Sequence, residues 1–219
     1  MYLTEKLAVS LGKKAKILLN IDKNREQIIV YGAINLLQTV FSILWIIIAG
    51  FILGVLYEAL IFSTAASILR KYSGGVHASS PNRCIIIGTV LSSAAGLVID
   101  KFPYSLSLIN TTAMGIFFIT ASFIIVILKA PIDSIKKPIT DLNMKKKFKK
   151  NSIITLMIFS IIIAILSIIY KITFKLCYLK IIYSIILGIL WQSITLTKIC
   201  TITFEKVTFT LKFITGRSL

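Results

Sequence analysis

Five windows of the chain carry almost no charge. Residues 28–69 hold only Glu58, residues 176–199 hold only Lys180 and Lys198, and residues 84–99, 102–128 and 151–170 hold none. A bilayer core about 30 Å thick takes roughly 20 helical residues at 1.5 Å each. The 42 residues of 28–69 would run about 63 Å as one helix, so they must double back. Gly50 and Gly54 mark the bend. The pattern therefore predicts six membrane-spanning helices, over about 28–50, 54–70, 81–99, 106–128, 152–170 and 178–199. Ahead of them, Leu3, Leu7, Leu11, Ala15 and Leu18 recur at three or four residues, while Lys6, Lys13, Lys14 and Lys16 fall mostly off that line. Residues 3–25 thus predict an amphipathic helix lying in the inner interface. The expected fold is all-α: a polytopic membrane protein of about six spans with an N-terminal interfacial helix. We read it as one membrane-embedded domain over 1–219, made of the interfacial helix (1–27), a six-span core (28–199) and a tail (200–219).

Composition agrees. The chain is 57% hydrophobic with a mean hydropathy of +0.91, above the apolar share of soluble domains. Basic residues set the orientation. With the N-terminus inside, segments 1–27, 70–83, 129–151 and 198–219 hold 21 Lys and Arg, against four outside, which accounts for all 25. Both termini and the 70–84 loop are then cytoplasmic. A net charge of +17 beside apolar spans suits anionic lipid headgroups rather than nucleic acid. The first 25 residues are mixed in charge and do not read as a cleavable signal peptide. In the polar stretch 129–151, Pro131 and Pro138 stop the fourth span and keep the connector extended, and Lys145, Lys146, Lys147, Lys149 and Lys150 anchor the start of the fifth.

Candidate chemistry concentrates in the loop from Arg70 to Cys84. It carries the single histidine, His77, and one of three cysteines seven positions later. Ser80 and Pro81 form a helix start, with Ser as N-cap and Pro at the first helical position. Cys84 then falls in the opening turn, near unpaired amide N–H groups and the positive end of the helix dipole. Helix N-termini and neighbouring cations such as Arg70 and Arg83 favour the thiolate, whereas hydrocarbon opposes it. On one unbroken helix the two residues would stand about 10.5 Å apart. Gly74, Gly75 and Pro81 interrupt that helix and allow His77 to fold back over the thiol as the base and acid of a Cys–His dyad. Ser79, Ser80 and the amides of the 81–84 turn are candidate oxyanion donors. Asn82, Asp133 and Asp141 are candidates to orient the histidine. The same spacing is compatible with an isolated interfacial histidine and an ordinary apolar cysteine, and the residues alone leave both readings open. One His and three scattered Cys do not make a metal set, and no cofactor is implied. Cys177 and Cys200 lie at opposite ends of the last span and read as apolar fillers. Glu58 reads as an interfacial residue.

At this loop the chain resembles the AgrB family of membrane-embedded cysteine endopeptidases of Gram-positive quorum sensing. The matching residues are Arg70, then Gly74-Gly75-Val76-His77-Ala78, then Cys84; a second match is Ala130-Pro131-Ile132-Asp133 with Lys136-Lys137-Pro138-Ile139. Length, six-span topology and a basic third cytoplasmic segment extend the resemblance over essentially the whole chain. The resemblance implies a cell-membrane protein that cuts the C-terminal tail from a short precursor peptide, AgrD, through a Cys84 thioester. An internal nucleophile of the peptide then closes a thiolactone or lactone ring. It implies His77 as base and then acid, Arg70 and Gly75 as positions needed for activity, and a homodimer. The apolar spans and the lysines of 145–150 would receive the peptide's amphipathic leader and acidic tail. The competing classes are a small transporter, which would want paired ionisable residues within several spans, and a non-catalytic peptide-binding scaffold.

Overall fold

The structure is a computed structural model that describes residues 3–75, 81–102, 108–132, 141–203 and 206. It holds seven named helices: α1 (Leu3–Leu19), α2 (Lys23–Ile52), α3 (Leu56–Ser73), α4 (Pro81–Asp100), α5 (Leu108–Lys129), α6 (Leu142–Thr173) and α7 (Leu176–Ile194). A short helical segment follows over 198–203. The described residues form no named strand, so the all-α reading holds.

Among the described residues, five helices are long and apolar enough to cross a membrane: α2, α4, α5, α6 and α7. The sixth expected span, α3, forms a helix but falls short in apolarity, because Glu58, Arg70 and Lys71 lie within its 18 residues. It is nonetheless about 27 Å long and runs parallel to α7 from Glu58 beside Lys180 to Ser73 beside Gln192. Its Ala59, Phe62, Ala65, Leu69 and Ser73, three or four residues apart, share a buried face. Gly188 allows the approach of α7, since a Cβ there would stand 2.5 Å from the Phe62 carbonyl oxygen. Between lipid-solvated helices no hydrophobic drive favours contact, and close packing at small residues supplies the attraction. Buried positions on α7 lie all round the helix, from Leu179 to Ser193. By contrast, α2 turns Leu44, Trp45, Ile48, Phe51 and Ile52 outward, as a lipid-facing helix does.

Two helices begin earlier than the apolar windows suggest. Asp22 caps α2, accepting from the Arg25 N–H at 3.0 Å, and Asp141 caps α6, accepting from the Asn143 N–H at 2.9 Å. The α6 helix therefore starts ten residues before 152, and Lys145–Lys150 occupy its first turns instead of a loop. At 30 and 32 residues, α2 and α6 run about 45 and 48 Å, beyond the hydrocarbon thickness. The helix α7 ends at Ile194 rather than 199, in a turn that sets off the 198–203 segment.

The bend between α2 and α3 sits where the glycines placed it. Gly54 has φ +70°, and a Cβ on Gly50 would lie 2.9 Å from the Leu56 Cα. The helix α1 has a packed partner rather than a lipid surface alone. It folds back along the start of α2 through left-handed Asn20 (φ 48°), with Gly12 against Val30 and Lys16 2.9 Å from Glu26.

Candidate functional site

At one end of the bundle the last turns of α3 and α7, the first turn of α4 and the residues after α5 converge. The α3 helix stops at Gly74, whose N–H makes the last helical bond to the Arg70 carbonyl at 3.0 Å and whose φ of +69° then turns the chain out of the helix. Gly75 follows at φ +126°, a conformation only glycine adopts without strain. The turn is held from two sides. From the connector after α5, the Ile132 N–H donates to the Ser73 carbonyl at 3.0 Å, and Gly74 and Ile132 form an isolated parallel bridge. A Cβ on Gly74 would collide with the Ile132 carbonyl oxygen. From α7, the Gln192 amide donates through Nε2 to Ser73 Oγ at 3.0 Å and to the Gly74 carbonyl at 2.7 Å. Gln192 is 1% exposed and Ser73 is fully buried. A Cβ on Gly75 would stand 2.8 Å from Thr195 Oγ1 and 3.2 Å from Gln192 Nε2.

Cys84 occupies the fourth position of α4 and is half-buried. The first amide groups of a helix have no intrahelical partner, so the opening turn of α4 offers N–H groups near the sulfur. The half-buried Arg70 side chain lies within electrostatic range of both Cys84 and Cys200. The structure thus places Arg70 near Cys84, and Gly75 against Thr195 and Gln192.

Cys200 is enclosed, as its reading as an apolar filler expects. It is 6% exposed, in the segment after α7. Burial pushes its thiol up from the ordinary range, and the Arg70 guanidinium pulls it partly back. Cys177 is exposed at the start of α7.

His77, Ser79, Ser80 and Asp133 lie outside the described residues. Of the other candidate orienting groups, Asp141 serves as the α6 cap, and Asn82 Oδ1 accepts from Thr4 Oγ1 at 3.5 Å, which joins α1 to the start of α4. Lys146, Lys149 and Lys150 line an open groove with Ile153, Ile154 and Met157, all on α6. No cluster of three metal-ligating side chains occurs among the described residues. Sequence reasoning missed Ser73, Gln192, Thr195 and Ile132. A buried amide must find hydrogen-bond partners, so a glutamine on an apolar span was a signal, though its partner, 118 residues away, was not legible.

The family model of accessory gene regulator B, AgrB, matches residues 4–196. This chain belongs to the AgrB family. An AgrB-like protein of Clostridium perfringens (strain SM101, type A) is 39% identical over 214 residues, covering 96% of this chain and 99% of the relative. A second AgrB-like protein, from Clostridium perfringens (strain 13, type A), is 36% identical over the same length and the same shares. No solved structure matches. Membership of the AgrB family carries a role in the agr quorum-sensing system, and the apolar helices make the chain a multi-pass membrane protein. The two stretches that resemble AgrB, around Gly74-Gly75 and around Pro131-Ile132, are hydrogen-bonded to one another.

Proposed function

We propose that this chain is an integral-membrane cysteine endopeptidase that removes the C-terminal tail of an AgrD-like precursor peptide and promotes its cyclisation. The observation that carries the reading is the proximity of Cys84, in the opening turn of α4, to Arg70, four residues before the end of α3 at Gly74, in a member of the AgrB family. The Cys84 thiolate attacks the scissile carbonyl, forming a C–S bond. The C–N bond then breaks, and the leaving amine takes the proton that His77 drew from the thiol. The product is an enzyme thioester. A thiol or hydroxyl within the peptide attacks that thioester, gives its proton to His77 and returns Cys84 as thiolate. Thioester and thiolactone are close in energy, so ring closure is nearly balanced, and apolar helices limit competing hydrolysis. The amides of the α4 opening turn stabilise the oxyanion, with Ser79 and Ser80 as further donors.

The site faces the cytoplasm in the orientation the basic residues favour. Lys145, Lys146, Lys147, Lys149 and Lys150, in the first turns of α6, attract the acidic tail, and the single domain acts as a homodimer. The test is incubation of the purified protein with a precursor that carries a central Cys or Ser and an acidic tail. Mass spectrometry is expected to find a thioester on Cys84. Cys84→Ala and His77→Ala each abolish cleavage, whereas Cys177→Ala leaves it unchanged. Normal cleavage by Cys84→Ala overturns the reading.

A further inference from the structure

We infer that Gln192 is a positioning residue for the Cys84 reaction: its side-chain amide, donated across the bundle from α7, sets the backbone turn that leads into the segment bearing His77. The inference rests on the dyad reading above.

Residues 73–75 are tied by three hydrogen-bonded groups: the Gly74 N–H to Arg70, the Ile132 N–H to Ser73, and the Gln192 amide to both Ser73 Oγ and the Gly74 carbonyl. The first two are backbone bonds. Gln192 is the side chain that completes the set, and both its bonds fall on the residues just before Gly75. Gly75 stands two positions before His77 in the chain, and the room beside it is bounded by Gln192 and Thr195. The Thr195 hydroxyl in turn donates to the Gln192 carbonyl at 2.6 Å, which ties the amide's own turn of α7. A residue serving only to hold α7 against α3 needs no amide at this place. The Gly188 contact with Phe62 and the apolar core around Leu69, Ile186 and Ile189 already do so. The amide instead fixes the direction in which the chain leaves α3, and a displacement of about 1 Å at a reacting group costs roughly 100-fold in rate.

The test reads thiol activation and needs no substrate. In full-length protein in membrane vesicles, with Cys177→Ala and Cys200→Ala as the background, the rate of Cys84 alkylation by iodoacetamide is followed against pH. An unassisted thiol is only a few per cent thiolate at pH 7, so loss of the base lowers the neutral-pH rate by about tenfold or more while the rate at high pH is unchanged. His77→Ala is expected to show that loss. Gln192→Met, similar in volume but without the donors, is expected to shift the profile most of the way to that of His77→Ala. A Gln192→Met profile that coincides with the background protein overturns the inference while the dyad reading stands. A His77→Ala profile that coincides with it overturns the dyad reading and this inference with it. Should Gln192→Met fail to accumulate in membranes, Ser73→Ala decides: a several-fold loss at neutral pH supports the role, and an unchanged profile removes it.

Discussion

Cys84 and Cys200 both lie within range of one cation, Arg70; Cys84 is half-buried and Cys200 is buried. Cys200 is enclosed, so its thiol stays neutral to higher pH than in the unfolded chain, even with the guanidinium nearby. The linkage has a definite sign. A folded-state pKa raised above the unfolded value contributes stability that is fully present below the unfolded pKa, about 8.5 for a thiol, and is lost as pH rises through the folded value. Thermal unfolding in detergent is therefore expected to show stability falling as pH rises above the ordinary thiol range. Cys200→Ala should reduce that fall, and an identical pH dependence in the two proteins contradicts it. The neighbouring glycines were legible as a helix break, since Gly-Gly punctuates any apolar run. That Gly75 lies against Thr195 and Gln192 was not, because the contact joins segments some 120 residues apart.

At the scale of the helices, charge misled and caps corrected. Lysines in the first turns of α6 oppose the helix dipole, at a cost of about 0.3–1 kcal/mol for those nearest the end. The helix extends through them because Asp141 caps it and because Ser152, Thr155, Leu156, Phe159 and Ile163 bury its later turns. An apolar window reports hydrocarbon, and a helix that projects past the headgroups outruns it. Close packing at glycine is the other device at this scale. Gly188→Leu drives a side chain into the Phe62 backbone of α3 and is expected to cost about 1–3 kcal/mol as overpacking. The check is the midpoint of thermal unfolding in detergent, compared with Gly32→Leu, where a Cβ meets nothing within 4 Å. Equal midpoints would contradict the contact.

Across the whole molecule the two ends of the bundle differ in kind. At one, Lys180 bonds Asp100 at 2.5 Å and lies 3.6 Å from Glu58, which joins the starts of α7 and α3 to the end of α4. Glu58, read from the chain as merely interfacial, is thus an ion-pair partner. Partly exposed pairs of this sort contribute about 1 kcal/mol or less each. At the other end, α3, α4 and α7 gather Arg70, Cys84 and Gln192. In the orientation proposed above, a membrane-impermeant maleimide added to intact cells labels the exposed Cys177. Cys84 should be labelled only after permeabilisation. The reverse pattern would invert the topology.

The chain by itself determined that helices cross a membrane, where most of them turn, which loop holds the candidate reactive residues and which family it belongs to. Each of these is written in runs of consecutive residues, as hydrocarbon length, basic flanks and a short motif. Tertiary structure alone decided that Gln192 and Ile132 hold the turn after α3, that Cys200 joins Arg70, and that Lys180 pairs with Glu58 and Asp100. Apolar periodicity states which face of a helix is buried, but not against which neighbour. Hydrogen bonds and ion pairs depend on the neighbour, because they act only over the few ångströms that helix packing sets.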